Sequence, residues 1–184
     1  KAAPSVENAA ITYSIDGENY SPAMPQFTNA GDYPVYVRAE APNYNPAVAR
    51  VTVAVKKADL TVTAEDMAKV YGQENPQFTV SYSGLVNGES GAVLLGTLAF
   101  DCAADTLSPV DSYAVTPGGL TSDNYEISFA EGVLTVTPKP VTVTAENKTK
   151  TAGDADPALT AVVSGLVGSD TLQYTLGRDA GEAA

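Results

Sequence analysis

The sequence predicts an all-β protein, built as tandem immunoglobulin-like antiparallel β-sandwich repeats in an elongated rod. Three observations lead to this prediction: short runs of alternating apolar and polar residues, turn formers between those runs, and an internal repeat. No segment keeps a helical periodicity over ten residues. Six or seven short strands in about 80 residues are typical of a β-sandwich.

The predicted strands are rich in Thr, Val and Tyr, residues that suit a pleated and half-buried surface. The clearest alternation lies at residues 33–37, 51–55, 60–64, 78–82 and 133–137. Turn-forming pairs lie between these runs, among them Asp16-Gly17, Asn87-Gly88 and Glu131-Gly132. Each run therefore predicts one short strand that ends at a turn.

The chain repeats itself at a spacing of 81 residues. Residues 61–89 superpose without gaps on residues 142–170, with 13 identities in 29 positions, far more than chance would produce. This predicts three domains: a partial Ig-like repeat without its early strand at 1–57, a complete repeat at 58–138, and the truncated front part of a further repeat at 139–184. The junctions are short, and the second contains two prolines, so we expect little hinge freedom.

Two tyrosines match the tyrosine corner of immunoglobulin-like domains. Tyr33 and Tyr113 each stand two residues before a predicted core position, Val35 and Val115 respectively. In such a corner the hydroxyl donates a hydrogen bond to the backbone a few residues upstream. The alternative is a plain amphipathic strand with a tyrosine at its boundary. Either arrangement predicts a sandwich held by packing and hydrogen bonds, without a covalent brace.

The composition excludes several kinds of chemistry. The chain has no His and one Cys, so it offers no Ser-His-Asp triad, no His-based metal site, no intrachain disulfide and no cysteine cluster. Its formal charge of −12 disfavours nucleic acid and anionic membrane surfaces, because phosphate contacts need Lys or Arg. No apolar stretch of about 18 residues is present, so no membrane insertion is expected. We therefore predict no enzyme, no cofactor and no catalytic or metal-binding residue, and we assign no ligand-binding residue.

The middle repeat contains the motifs Tyr71-Gly72, Ser83-Gly84-Leu85-Val86 and Asn124-Tyr125. With these motifs it resembles the MBG-type repeat, which is named for a Tyr-Gly motif. The resemblance covers residues 58–138 fully and the following segment to mid-repeat, where Ala152 replaces the tyrosine of the motif. Residues 11–55 are similar to a related bacterial Ig-like surface repeat. The resemblance implies a tandem repeat of large secreted or wall-attached bacterial proteins, many of them adhesin-like.

Two sets of carboxylates are candidates for chemistry. Glu65 and Glu146 are the one acidic identity shared by the two copies, whereas a glycosidase-like site needs a pair of carboxylates in each. A solvated strand end is therefore the favoured interpretation. Asp154 and Asp156 resemble part of a calcium-binding loop, since hard cations bind clustered oxygens. Turn chemistry is favoured there, because the middle repeat keeps a single carboxylate in the same stretch.

Three further residues carry groups that could react. Cys102 is predicted to be a buried small apolar side chain, because a reactive thiol needs a cationic neighbour and none is near in sequence. Lys69 and Lys150 occupy one repeat position and are candidates for a lysine–asparagine isopeptide bond, which needs both partners buried beside a carboxylate. Their polar surroundings favour solvated side chains instead.

Tyrosines are candidates for sugar binding, because exposed aromatic rings stack on sugars. Tyr20, Tyr44 and Tyr125 lie in loop-like contexts rich in Asn, Ser and Pro. Tyr44 and Tyr125 recur at one equivalent position, which favours a structural role such as closing the end of a sandwich.

The sequence favours a non-catalytic extracellular structural repeat of a bacterial cell-surface or secreted adhesin-like protein, a stalk that spaces and displays other domains. The alternatives are a module that binds host glycan or protein, and an accessory domain of a secreted polysaccharide-active enzyme. We expect an extracellular or cell-wall-attached location, with signal and anchor outside this fragment, because both ends look cut from a longer chain. The truncated end units leave strand edges unpaired, which predicts either head-to-tail self-association or poor packing at both ends.

Overall fold

The computed structural model describes residues 9–178, and within that range the chain forms twelve strands and one 3-10 helix, Gly91–Val93. The strands are β1 (Ala10–Ser14), β2 (Gly31–Glu40), β3 (Ala47–Val55), β4 (Ala58–Ala64), β5 (Met67–Val70), β6 (Val80–Ser83), β7 (Leu95–Cys102), β8 (Ser112–Thr121), β9 (Tyr125–Ala130), β10 (Gly132–Thr137), β11 (Thr142–Ala145) and β12 (Ala161–Ser164). They form four sheets, and the predicted all-β class is confirmed. Across the described residues, no helix is long and apolar enough to cross a membrane.

The first sheet is an antiparallel meander in which β2 pairs with both β1 and β3. Its buried apolar side chains are Tyr13 and Val35. The rings of Phe27 and Tyr33 stack with their centroids 4.1 Å apart and extend this small core. Most of β3 is exposed, so the sheet has a thin core.

The second sheet has the order β6-β4-β9, with β4 at its centre. Along β4 the buried positions alternate with less buried ones, as the sequence pattern predicts. Leu60 and Val62 are completely buried and cluster with Tyr125. Partly buried apolar residues pack around them: Ala58, Val80, Leu85, Leu94, Leu120 and Ile127. This cluster is one of the two cores of the middle repeat.

The third sheet has the order β5-β10-β8-β7 and carries the other core. Leu134 on β10 and Val115 on β8 are completely buried and cluster with Ala64 and Ala104. Partly buried apolar residues pack against this cluster: Met67, Phe78, Phe100, Cys102 and Tyr113. The strict alternation of burial along β10 again follows the sequence pattern.

The fourth sheet consists of the antiparallel pair β11 and β12. β12 lies 81 residues after β6, with the same length, so the internal repeat of the sequence is also a repeat of structure. None of the described residues from 141 to 178 is buried. The described part of this segment therefore has no buried core of its own. The expectation of self-association or of poor packing at both ends stays a prediction.

Strand pairing in the middle repeat is mixed, which corrects the prediction of a wholly antiparallel sandwich. β4 pairs with β9 in parallel, and β5 pairs with β10 in parallel. The reason is that the first and last strands of the repeat run in the same direction, and both are interrupted, one at residues 65–66 and the other at Glu131. Gly132 permits the close approach at this break, because a Cβ there would lie 2.5 Å from the carbonyl oxygen of Ala64.

The chain groups into two compact units that do not follow the repeat boundaries. Among the described residues, the first unit contains residues 9–63, 80–99 and 117–130, and it includes the core around Leu60. The second contains residues 64–79, 100–116 and 131–178, and it includes the core around Leu134. The domain boundaries at 57/58 and 138/139 stay predictions. The elongated rod-like arrangement of the repeats also stays a prediction.

Candidate functional site

Both predicted tyrosine corners are present. The Tyr33 hydroxyl donates to the carbonyl oxygen of Asn29 at 2.9 Å, and the Tyr113 hydroxyl donates to that of Pro109 at 3.0 Å. The residues two positions later, Val35 and Val115, are buried as predicted. These tyrosines brace the loop that enters β2 or β8, so their hydroxyls are occupied by the fold.

Tyr125 has the structural role that its recurrence predicts. Its ring is buried, and its hydroxyl donates to Oε2 of Glu89 at 2.6 Å. The Tyr125 hydroxyl oxygen also accepts a hydrogen bond from the backbone N–H of Val86 at 3.0 Å. The bond to the Glu89 carboxylate raises the pKa of Tyr125, because the charged acceptor stabilises the protonated phenol. Tyr125 therefore ties the loop after β6 to β9 and has no free ring face for a sugar.

The structural role predicted for Tyr44 is wrong. Tyr44 is 68% exposed in the turn between β2 and β3, where its N–H donates to the carbonyl oxygen of Ala41. A tight turn between two paired strands is not covered by other segments of the chain, so the Tyr44 ring is exposed to solvent. Tyr20 is half-buried, and the guanidinium of Arg38 lies 5.4 Å from its ring centroid. Tyr44 and Tyr125 occupy the same repeat position, but the segments that surround the two rings differ.

The solvated state predicted for Lys69 is also wrong. Its side chain is 5% exposed, and Nζ donates to Oδ1 of Asn75 at 2.7 Å and to the carbonyl oxygen of Asp105. Asn75 in turn donates from Nδ2 to the carbonyl oxygen of Ala104 at 2.7 Å. In the described chain these hydrogen bonds supply amide and carbonyl oxygens to Nζ and no carboxylate, which an isopeptide bond needs. Lys69 stands two residues after Met67 on β5, so the two side chains share a face of the strand, and this was the signal that could have revealed the burial.

In the third repeat, Lys150 forms an exposed ion pair, as its polar surroundings predict. Its Nζ lies 2.7 Å from Oδ1 of Asp156, the residue 81 positions after Asn75. Nε of Arg178 lies 2.7 Å from the other carboxylate oxygen, Oδ2. Hydrogen bonds from Lys150 and then Arg178 lower the pKa of Asp156. Both oxygens that a calcium ion would need are thus paired with cations, which agrees with the turn interpretation of Asp154 and Asp156.

Glu65 and Glu146 hold the same contact in their two repeats. Thr79 Oγ1 donates to Glu65 Oε2 at 2.7 Å, and the Glu65 N–H donates to the Thr79 carbonyl oxygen at 3.0 Å. Thr160 and Glu146 make the same two hydrogen bonds. The bond from Thr160, followed by that from Lys148, lowers the pKa of Glu146. Each glutamate is exposed, as predicted, but it closes the entrance to β6 or β12 rather than standing free in solvent.

Cys102 packs at the margin of a core. It is half-buried at the end of β7, against the cluster that contains Leu134 and Val115. This agrees with an apolar packing role, although burial is less complete than predicted. Among the described residues, no group of three or more His, Cys, Asp or Glu side chains is placed to hold a metal ion.

The junction between the first sheet and the middle repeat is formed by side chains that sequence reasoning did not single out for contact. Asn124 accepts from the N–H of Ala30 at 2.9 Å through Oδ1, and its Nδ2 donates to Oδ1 of Asn29 at 3.1 Å. Lys57 donates from Nζ to the carbonyl oxygen of Ser122 at 2.7 Å. The segment that leads into β9 is therefore hydrogen-bonded to the segment that leads into β2. It is also hydrogen-bonded to the two-residue junction between β3 and β4.

Acid is expected to destabilise the chain. Hydrogen bonds lower the pKa of Asp16, first that from the Ser14 hydroxyl and then that from the Asn19 N–H, and the pKa values of Glu146 and Asp156 are lowered as well. A lowered folded-state pKa contributes stability above the unfolded value, which is 3.8 for Asp and 4.5 for Glu, and this contribution is lost as the pH falls toward the folded value. Urea unfolding at pH 5, 4 and 3 should therefore give a falling free energy of unfolding.

The variant Asp16→Asn is the control for this pH dependence. Its amide oxygen still accepts hydrogen bonds but does not titrate, so the unfolding of the first sheet should lose part of its acid sensitivity. Equal stability of the unaltered chain at pH 5 and pH 3 would contradict the expectation.

The arrangement as a whole defines a class of protein: an all-β tandem repeat in which the polar side chains brace turns and junctions. The model of the MBG domain (YGX type) matches residues 60–135 and 141–184, more than half of the chain. The chain belongs to this family. No curated protein and no solved structure matches it.

Proposed function

We propose that this chain is a non-catalytic extracellular spacer, a repeat segment of a bacterial cell-surface or secreted adhesin-like protein that holds other domains away from their anchor. Membership in a family of tandem repeat modules supports the proposal. The observation that carries it is that the Thr–Glu contact at the entrance to β6 recurs at the entrance to β12. Because this polar contact recurs in both copies and stabilises the chain at the start of a strand, its role is structural.

The junctions of the chain suit a spacer. Two residues separate β3 from β4, and the hydrogen bonds of Asn124 and Lys57 hold the segments on either side of that junction. Pro138 and Pro140 restrict the backbone after β10. A junction with few free dihedral angles is a stiff linker, so each added repeat extends the spacer instead of adding a flexible coil. The net charge of −12 keeps such chains apart and soluble.

One observation favours the alternative, a module that binds host glycan or protein. Tyr44 presents a ring that is 68% exposed beside the exposed strand β3. Exposed tyrosine rings supply rigid contact area at interfaces. The spacer proposal treats this ring as an isolated surface residue, which by itself needs no explanation.

A binding screen separates the two functions. The 184-residue chain is tested against arrayed glycans, mucin and extracellular matrix proteins at high micromolar concentration, beside a Tyr44→Ala variant. The spacer function predicts no saturable binding by either protein. Saturable binding that Tyr44→Ala abolishes would overturn the proposal in favour of an adhesion module. Light scattering on the same sample tests the predicted head-to-tail self-association.

A further inference from the structure

The Tyr-Gly motif lies in a turn directly after β5, where the four-stranded sheet ends. The N–H of Tyr71 donates to the carbonyl oxygen of Thr137 at 2.9 Å, and the N–H of Gly72 donates to that of Thr106 at 3.1 Å. Gly72 has φ of +85°, a left-handed conformation that favours glycine. The backbone of the motif is therefore held by the middle repeat itself, and its outer surface is left for another partner.

That outer surface is occupied by the third repeat. A Cβ built on Gly72 would lie 2.5 Å from Cγ2 of Val167, which is closer than real Cβ contacts come. Asp170 lines the same cleft as Tyr71, and the interaction of its carboxylate with the Tyr71 hydroxyl raises the pKa of Tyr71. Pro138 and Val110 line the same cleft as Tyr71 and Val167. The motif thus receives one apolar and one acidic residue from a single loop of the next repeat.

The corresponding positions 81 residues away provide an internal comparison. Gly153 has φ of +93°, much like Gly72, but a Cβ built on it would meet nothing within 4 Å. Ala152 takes the place of Tyr71, so no hydroxyl is available there. The left-handed turn therefore belongs to the repeat itself, whereas the close approach at Gly72 belongs to the contact with the following repeat.

The loop that docks has a counterpart in the middle repeat. Val86 and Glu89 stand 81 residues before Val167 and Asp170. Glu89 also accepts a tyrosine hydroxyl, but from Tyr125 of its own repeat. The acidic position of this loop thus lies beside a tyrosine in both copies, and at Asp170 that tyrosine belongs to the preceding repeat.

We propose that the Tyr-Gly turn is a docking site whose partner is the Gly-Leu-Val loop, with its acidic residue, of the repeat that follows in the chain. Tyr71 and Gly72 form the receiving surface, and Val167 and Asp170 are the docked residues. The inference deepens the proposed spacer function and rests on it for its biological meaning, since it names the contact that stiffens one repeat against the next. A motif with alanine in place of tyrosine forms a weaker joint.

The test is NMR of the isotope-labelled 184-residue chain. Docking predicts nuclear Overhauser contacts between the Tyr71 ring and the Val167 methyl groups. It also predicts one rotational correlation time, from ¹⁵N relaxation, for the β11–β12 pair and for the sheet that contains β10. In Gly72→Ala the added methyl group meets Val167, so the correlation time of β11–β12 should fall to roughly half while that of the sheet changes little.

Gly153→Ala is the matched control, because it imposes the same left-handed strain without a neighbour to displace, and it should leave the two correlation times equal. Val167→Ala with Asp170→Asn tests the joint without touching the middle repeat, should Gly72→Ala fail to fold, and it should separate the two correlation times. Independent tumbling in the unaltered chain, or equal effects of Gly72→Ala and Gly153→Ala, would overturn the docking site. Neither result bears on the binding screen, so the spacer function and the joint fail separately.

Discussion

Lys69→Met is expected to lower the free energy of unfolding of the middle repeat by about 2 kcal/mol, because it removes a charged donor from buried oxygens. Methionine keeps the length and apolar stem of the side chain, so packing changes little. The carbonyl oxygen of Asp105 and Oδ1 of Asn75 both lose the donor that Nζ supplies. Burial at 5% exposure means that water replaces that donor poorly.

Lys150→Met is the matched control for this variant. Lys150 occupies the same repeat position, but its pair with Asp156 is open to solvent, and such exposed ion pairs contribute roughly 0.2–1 kcal/mol. Urea titration followed by tyrosine fluorescence and far-ultraviolet circular dichroism measures both variants, since the chain has no Trp. If the two substitutions cost the same, the lysine of the middle repeat is solvated after all, as its sequence context suggested.

Leu134→Ala is expected to lower the free energy of unfolding by about 3 kcal/mol, a larger loss than is expected for Lys69→Met. Leu134 is completely buried on β10 between β5 and β8, at the centre of the cluster with Val115 and Ala104. Truncation to alanine removes three carbon atoms from this contact and leaves a cavity that paired strands on both sides prevent from closing. The same urea titration measures the loss.

Val133→Ala is the control, because Val133 precedes Leu134 on the strand and points to the opposite face, where it is 39% exposed. Its truncation should cost less than about 1 kcal/mol. A smaller loss from Leu134→Ala than from Val133→Ala would mean that the assigned faces of β10 are reversed.

Several features of the fold followed from local pattern. Alternation of apolar and polar residues predicted which face of β4 and β10 is buried, because neighbouring side chains on a strand point to opposite sides. The spacing of Tyr33 from Val35, and of Tyr113 from Val115, predicted both tyrosine corners. In these cases the partners lie within a few residues of each other, so the sequence contains the whole contact.

The misassigned residues depend on partners that are distant in the chain. The burial of Lys69 depends on the loop around Asp105, which lies 36 positions later. Tyr44 and Tyr125 share a repeat position, yet Tyr125 is buried because Glu89 and Val86 approach it, whereas the turn of Tyr44 has no such neighbour. The same residue at the same repeat position predicts a similar backbone conformation. It predicts a similar side-chain environment only when the neighbouring segments are repeated as well.

The sequence by itself determined the all-β class, the 81-residue repeat, the family resemblance and the absence of histidine and of an intrachain cysteine pair, because these depend on local pattern and composition. The tertiary structure alone decided the parallel pairing of β4 with β9 and of β5 with β10, the buried donor at Lys69, and the partner of the Tyr-Gly turn. These features arise where segments many residues apart meet. Hydrogen bonding and close packing at such places are set by three-dimensional proximity, which spacing along a chain does not specify.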